Sequence, residues 1–362
     1  MDWRIASALL LIVGIAVGYA AASLMAAGEP VEVHTITATL TTTVTETPAT
    51  LTVTATATET VPLEVRVVSD ALGREVEVMG TFNRIVSLAP SITEHLCVLG
   101  VCDLIVAADE YSLQVEGVPE NVTVVGGFWT PSLEAVLAAR PDLVLICSGV
   151  PAQEAMVQQL EDAGVTVFAL RCDRARDVKD VLWDISALGA LLGRSEAAEK
   201  LARSIEASIA EVKARLSEAN ATPTSLALIV YLDEKGAWVA GGGTFQNDIV
   251  NLAGGQNVFA DLYGWQMVGF EHLAAKDPDL VVVTGMGPED LNRTLSILAK
   301  TPLAESRAYR EGRVCLLYGE AANVLSRPGP RIADAVRILA GLLHPGVVQV
   351  PEQYSSYILC GG

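Results

Sequence analysis

Between Val178 and Ala219 the chain carries helical periodicity with one interruption, Gly193 followed by the start signal Ser195-Glu196. The piece after the interruption, about 24 residues, would form a helix roughly 36 Å long, about the width of a small domain. A rigid rod of that length can join two bodies as a strut. On either side of it, short apolar runs alternate with helical patterns. Upstream, Leu63–Val78 reads as a hairpin turning at Ser69–Gly73, followed by a strand at Arg84–Leu88 and a helix at Ser91–Leu99, with Ser91 and Glu94 in capping-box spacing. A strand at Leu104–Ala107, a helix at Ser132–Ala139 capped by Ser132, a strand at Leu143–Cys147, a helix at Gln153–Ala163 and a strand at Val165–Leu170 complete the first unit. Downstream, strands at Leu226–Leu232 and Ala237–Ala240 precede a helix at Phe245–Leu252; the runs Leu273–Lys276, Leu280–Thr284 and Val314–Tyr318 follow, then a helix at Arg331–Leu343. Strands alternating with helices imply mainly parallel sheets covered on both faces. A helix-to-strand phrase also occurs twice, Glu134-Ala-Val-Leu-Ala-Ala-Arg-Pro-Asp-Leu-Val-Leu and His272-Leu-Ala-Ala-Lys-Asp-Pro-Asp-Leu-Val-Val-Val. The expected fold class is α/β, two doubly wound α/β lobes joined by a long α-helix: residues 63–176, a linking helix at 177–219, residues 220–346, and a tail at 347–362.

The residues ahead of the lobes have a different texture. Ile5–Ala27 contains no charged residue. At about 1.5 Å per residue it would reach roughly 35 Å, enough to cross a bilayer. Residues 1–28 are therefore read as an N-terminal transmembrane anchor or a signal segment, with Arg4 placing the bulk of the chain outside. Residues 29–62 are read as a Thr-rich stalk. About half of Thr35–Thr60 is threonine, much of it alternating with Val or Ala. That alternation also fits a strand, but the composition resembles glycosylated low-complexity tethers. The sequons at Asn121, Asn220 and Asn292 suit an exported, glycosylated chain.

A net charge of −19 argues against nucleic-acid binding, which needs clustered Lys and Arg. The six cysteines form no metal-ligand spacing with the four scattered histidines, so no metal site is expected. The preferred pairing is Cys97–Cys102, Cys147–Cys172 and Cys315–Cys360. Cys147 and Cys172 each end or follow an apolar run and could meet at one sheet edge. The alternative is six buried thiols, although export favours at least one disulfide. No nucleophile–base or paired-carboxylate arrangement stands out, so no catalytic residue, and no enzyme, is expected. Gly241-Gly242-Gly243 lacks the Lys-Ser/Thr of a phosphate loop and reads as a tight turn.

Several segments in order resemble the cobalamin and ferric-siderophore binding proteins of ABC importers. They are Arg84-Ile-Val-Ser-Leu-Ala-Pro-Ser-Ile-Thr-Glu94, Gly126-Gly-Phe-Trp-Thr-Pro-Ser-Leu-Glu134, Ala139-Arg-Pro-Asp-Leu-Val-Leu145, Thr244-Phe-Gln-Asn-Asp248 through Gly254-Gly255, Trp265, and Arg327-Pro-Gly-Pro-Arg331. The resemblance covers about Leu63–Pro345. It implies a ligand cleft between the lobes, small closure because the linker is a stiff helix, and delivery to an ABC permease and its ATPase. It implies a monomer tethered outside the cell, taking up a corrinoid or ferric chelate, with no resident cofactor. A cell-surface adhesion module or a haem-binding protein on the same scaffold are the alternatives.

The resemblance also assigns residues. Trp129 or Phe128, Trp265 and Tyr111 become cleft aromatics, with Trp265 placed in a loop. Arg327 and Arg331 become candidates for pairing an anionic ligand, with at least one of them structural. Glu134, in the first turn of its helix, becomes a contact to permease arginines. Related proteins carry a second acid before the paired glycines; Asn251 stands there in this chain, with Asp248 one turn earlier as its substitute.

Overall fold

The computed structural model describes residues 33–46, 49–62, 65–284 and 288–361. The chain divides into two compact units, Met1–Arg66 and Val67–Gly362. In the first, β1 (Val33–Glu46) and β2 (Ala49–Pro62) form an antiparallel hairpin. Its register sets threonine opposite threonine at Thr35↔Thr60, Thr37↔Thr58, Thr39↔Thr56, Thr41↔Thr54, Thr43↔Thr52 and Thr45↔Thr50. Within the segment read as a stalk, the Thr-Val and Thr-Ala alternation that also fits a strand forms a two-stranded ladder. A strict period of two in both halves is what allows the two strands to pair along their whole length. The expected N-terminal anchor lies outside the described residues, among which no helix is long and apolar enough to cross a membrane.

A hairpin of β3 (Val65–Ser69), in which the division falls, and β4 (Glu75–Met79) leads into the larger unit. The first lobe follows as β5 (Ile85–Ser87), α1 (Pro90–Val98), β6 (Ile105–Ala108), β7 (Thr123–Val124), the small hairpin β8 (Gly126–Gly127) and β9 (Thr130–Pro131), α2 (Leu133–Ala138), β10 (Leu143–Cys147), α3 (Pro151–Glu154), α4 (Val157–Asp162) and β11 (Thr166–Leu170). Its five-stranded sheet runs β11-β10-β5-β6-β7, with every pairing parallel. Parallel strands must be covered on both faces, and β10 is accordingly apolar and buried along its whole length. Each of its aliphatic side chains contributes about 1.5–3 kcal/mol by burial. The early hairpin covers the β11 edge. The Ala71 amide donates to the Ala169 carbonyl at 2.9 Å, and Arg74 reaches the Val167 carbonyl at 3.1 Å.

The linker is two helices, α5 (Val178–Leu191) and α6 (Ser195–Glu218), with the break at Gly193 that the sequence announces. Carboxylates stitch α5 to both lobes. Asp184, buried on α5, accepts the backbone amides of Arg171 at 2.8 Å and Cys172 at 3.2 Å. The Val178 amide at the head of α5 donates to Asp248 in the second lobe at 3.0 Å. Where α5 and α6 cross, a Cβ on Gly189 would lie 2.4 Å from that of Ala198. Gly189→Val should therefore force the linker apart and cost about 2–3 kcal/mol, read as a lower urea midpoint at unchanged m.

The second lobe comprises β12 (Thr224–Asp233), β13 (Gly236–Ala240), α7 (Phe245–Leu252), β14 (Gly255–Asn257), β15 (Trp265–Val268), α8 (Phe270–Ala275), β16 (Leu280–Thr284), α9 (Pro288–Leu298), α10 (Arg307–Arg310), β17 (Val314–Leu317), α11 (Gly319–Ser326), α12 (Ile332–Leu343), α13 (Glu352–Ser355) and β18 (Ile358–Gly361). Its seven-stranded sheet runs β15-β13-β12-β16-β17-β18, with β14 also paired to β12. Residues 347–362, read as a tail, instead supply β18, which closes the β17 edge in antiparallel register. The run Leu273–Lys276 is helical: Leu273 lies in α8, and Lys276 caps that helix. The expected single helix at Gln153–Ala163 is two short ones, α3 and α4.

The three expected disulfides form, and no described cysteine is free. Cys147 ends β10 and Cys172 follows β11, the neighbouring strand, while Cys315 and Cys360 are direct cross-strand partners on β17 and β18. Asn121, Asn220 and Asn292 are all exposed. Asn292 lies within α9 with Thr294 of its sequon buried.

Candidate functional site

In open parallel sheets, ligands sit outside the carboxyl ends of the strands, where loops converge and helix N-termini point. In the first lobe those ends lead into three turns. The β6 end continues into a 3-10 turn at Glu110–Gln114 carrying Tyr111, with the Tyr111 amide donating to Asp109 at 2.9 Å. Asp109 is fully buried and accepts the Ser112 hydroxyl; Ser112, Thr93 and Ser87 continue the chain of hydroxyls in 2.8 Å steps to the end of β5. Burial pushes the Asp109 carboxyl above its ordinary value, against the hydrogen bonds of Ser112 and Tyr111 and the charge of Arg327. This network fixes the Tyr111 turn from beneath.

The second turn is the β8–β9 hairpin, with Phe128 and Trp129 at its tip in edge-to-face contact, centroids 4.7 Å apart. Gly126 has φ 112°, and a Cβ on Gly127 would lie 2.9 Å from the Glu110 carboxylate. The paired glycines thus let this hairpin approach the Tyr111 turn. Gln153 ties the third turn to it, donating through Nε2 to the Leu88 and Phe128 carbonyls at 2.9 and 2.8 Å. Trp129 remains 58% exposed, and Phe128 takes the inner position against the core.

In the second lobe, Trp265 is not in a loop. It opens the edge strand β15 opposite Ala240 and is half-buried against the core. Glycines hold the preceding loop: the Gly241 amide donates to Gly264 at 2.9 Å, and the Gly242 amide to Leu262 at 2.7 Å. The strongly exposed aromatic of that loop is Tyr263, whose ring lies over Gly243. Beyond it lies a feature the sequence does not display. Tyr231, Trp238 and Met267, all exposed, are successive cross-strand partners on β12, β13 and β15. Tyr231 stands near the carboxyl end of β12, so this apolar stripe reaches the carboxyl end of the sheet.

The arginines are already engaged. Arg327 donates to Glu94 of α1 at 2.8 Å, and Arg331 donates to the same carboxylate at 2.7 Å and to Glu320. Burial opposes the Arg331 charge, but Glu94 and Glu320 outweigh it and hold its pKa above the ordinary value. Neither guanidinium stands free to meet a ligand carboxylate, which redirects the expectation of ligand pairing for Arg327 and Arg331.

Beside this cluster His95 is buried, and burial pushes its imidazole down to about 4, the Pro328 carbonyl opposing. Unfolded, it takes its proton near 6.5. The unfolded chain therefore binds the extra proton between those values, and this contribution to stability is lost as pH falls from about 6.5 to 4, by about 3 kcal/mol. Asp184 has the opposite sign. Burial raises its carboxyl to about 7, so its contribution is full at low pH and is lost as pH rises toward 7. The two largely offset one another. Urea titrations from pH 4 to 7.5 should show Asp184→Asn losing more stability on acidification than the parent chain, and His95→Leu losing less.

For docking, Glu134 is exposed in the first turn of α2, as its helix position suggests. Asp248 is not a free acid: it is half-buried and receives the Val178 amide, and burial raises its carboxyl above the ordinary value. Asn251 is exposed and uncharged. The counterpart of Glu134 is Glu271. In the repeated phrase, Glu134 and Glu271 each stand seven residues before the proline of Pro-Asp-Leu. The structure repeats the unit in detail. α2 and α8 each place the glutamate in their first turn. Each phrase then bends at a left-handed residue, Arg140 (φ 48°) or Asp277 (φ 40°). Asp142 then accepts the Arg84 amide at 2.9 Å, just ahead of β5, as Asp279 accepts the Ser225 amide at the start of β12 at 3.0 Å. Glu271 is exposed.

A cavity of about 520 Å³, lined by Arg84, Val106, Thr123, Ala138, Ala139 and Arg140, opens at the amino ends of the first lobe's strands, opposite to these turns. Among the described residues no group of three or more His, Cys, Asp or Glu is placed to hold a metal.

Comparison with known proteins agrees with this geometry. Residues 85–321 match the model of the periplasmic binding protein family. The chain is 30% identical over 272 residues to a cobalamin-binding protein of Halobacterium salinarum, covering 72% of this chain and 69% of that one. It is 27% identical over 282 residues to an ABC transporter substrate-binding lipoprotein of Bacillus subtilis, covering 77% and 85%. Among solved structures, a periplasmic heme binding protein from Pseudomonas aeruginosa superposes with a TM-score of 0.66 at 25% identity, covering 78% of this chain and 98% of that one. The periplasmic vitamin B12 binding protein of Vibrio cholerae superposes with a TM-score of 0.58 at 25% identity, covering 72% and 96%.

Proposed function

This chain belongs to the periplasmic binding protein family, and from that premise we propose that it is the extracytoplasmic substrate-binding protein of an ABC importer for a cobalamin-type corrinoid. The observation that carries the reading is the apolar surface at the carboxyl ends of both sheets: exposed Trp129 and Tyr111 beside the inner Phe128 in one lobe, exposed Tyr231, Trp238 and Met267 in the other, with exposed Tyr263 and half-buried Trp265 beside them. Large rigid side chains bind a broad, rigid ring system with little ordering cost. The engaged arginines favour a ligand that needs no cationic partner over an anionic chelate. The relative from Halobacterium salinarum, named for cobalamin binding, points the same way. In this reading the chain is a binding protein and not an enzyme, and it works as a monomer anchored by residues 1–28. Glu134 and Glu271 present one carboxylate on each lobe to arginines of the permease.

Isothermal titration of the whole chain in detergent with cyanocobalamin, haemin and a ferric-siderophore panel tests the ligand. Micromolar or tighter binding of cyanocobalamin, ahead of the others, is expected. Preference for haemin or a ferric chelate would replace the corrinoid assignment, and no binding at all would favour an adhesion module.

A further inference from the structure

We propose that Glu94 is the positioning residue of the cleft: it fixes how the two lobes meet and holds Arg327 and Arg331 away from the ligand. The ligand half of this rests on the function proposed above; the joint itself does not. Glu94 belongs to α1 of the first lobe, while Arg327 and Arg331 flank the loop between α11 and α12 of the second, 233 and 237 residues away. The Glu94 and Arg327 side chains are only 6% and 9% exposed. One carboxylate thus receives two guanidinium groups across the lobe boundary, with Arg331 also reaching its second oxygen at 3.4 Å. Charges taken out of water need partners, and removing one leaves the others uncompensated. The joint is therefore held shut by mutual need.

The loop is shaped for this contact. A Cβ on Gly329 would lie 2.8 Å from the Glu94 carboxylate, so a larger residue there would push the ion-paired Glu94 side chain aside. Glu320 adds a second carboxylate to the cluster, and buried Asp109 lies within reach of the Arg327 charge. Without Glu94, the same place would lose one negative charge and turn more positive toward the cleft. Glu94 therefore acts on specificity as well as on geometry: it makes the cleft a poor site for anionic ligands.

The test compares Glu94→Gln, Gly329→Ala and the triple variant Glu94→Gln/Arg327→Gln/Arg331→Gln in the whole chain. Hydrogen exchange without ligand should rise at least tenfold in residues 90–98 and 319–331 for Glu94→Gln and Gly329→Ala, while the β10 and β16 amides stay protected. Haemin, with two carboxylates, should bind Glu94→Gln at least fivefold more tightly than the parent chain. The triple variant should lose that gain, and Gly329→Ala, which removes no charge, should not show it. Should Glu94→Gln fail to fold, Gly329→Ala still reads the joint by exchange. Unchanged exchange in both segments for either variant overturns the positioning role, and a haemin gain that persists in the triple variant overturns the charge role. Failure of the parent chain to bind cyanocobalamin would overturn the proposed function while leaving the exchange result to decide the joint.

Discussion

Trp129→Ala should weaken cyanocobalamin binding about 30-fold, and Trp129→Ala combined with Trp238→Ala should abolish it at micromolar concentrations. A tryptophan left mostly in water at the tip of a six-residue hairpin does little for the fold, so its truncation should leave the unfolding midpoint nearly unchanged. What it loses is contact area with a ligand. Buried aromatic anchors at binding sites typically account for about 2 kcal/mol or more each, the 30-fold expected here. Trp238 sits between Tyr231 and Met267 in the cross-strand stripe, so its removal opens the middle of the opposing surface. Equilibrium titration together with urea unfolding of each variant separates lost contact from lost fold.

Reversing both docking acids, Glu134→Lys with Glu271→Lys, should remove transport while leaving ligand affinity within twofold. Both carboxylates are exposed in the first turn of short helices, where they make no internal ion pair among those described, and neither belongs to the aromatic surface. Opposed like charges cost several kcal/mol at an interface and slow its formation, so association with the permease should fall more than 100-fold, and each single reversal should give an intermediate loss. Vesicles containing the importer, with labelled cyanocobalamin and each variant, give the measurement. Full transport by the double reversal would rule out this docking pair. An Asp248→Asn variant offers a contrast: because Asp248 serves the head of α5, it should affect stability before transport.

Much of the scaffold was legible because its signals are local. Gly193 and Ser195 mark the break in the linker, and Ser132 does cap its helix, accepting the Ala135 amide at 3.2 Å. The disulfides were legible because Cys147 and Cys172 lie at the ends of apolar runs that turned out to be neighbouring strands. The site was harder to read, because it depends on register and long-range pairing. Tyr231 and Trp238 face each other because the turn at Glu234-Lys235 pairs Asp233 with Gly236, and a bulge between Ile229 and Tyr231 shifts the register beyond them. Trp265 lies between glycine-rich and polar residues that suggest a loop, yet β13 recruits it as an edge strand. The grip of Glu94 on Arg327 spans 233 residues, a distance over which no periodicity reports. Glu271, by contrast, was within reach: aligning the repeated phrase on its Pro-Asp-Leu rather than on its alanines places Glu271 under Glu134.

Hydrogen exchange of the whole chain, with and without saturating cyanocobalamin, decides whether a corrinoid is held between the carboxyl ends of the two sheets. Residues 108–114, 126–131, 231–239 and 262–268, from both lobes, should be protected together, with no change around Arg84 and Arg140. Protection confined to one lobe, or centred on the cavity at Arg84 and Arg140, would contradict that placement.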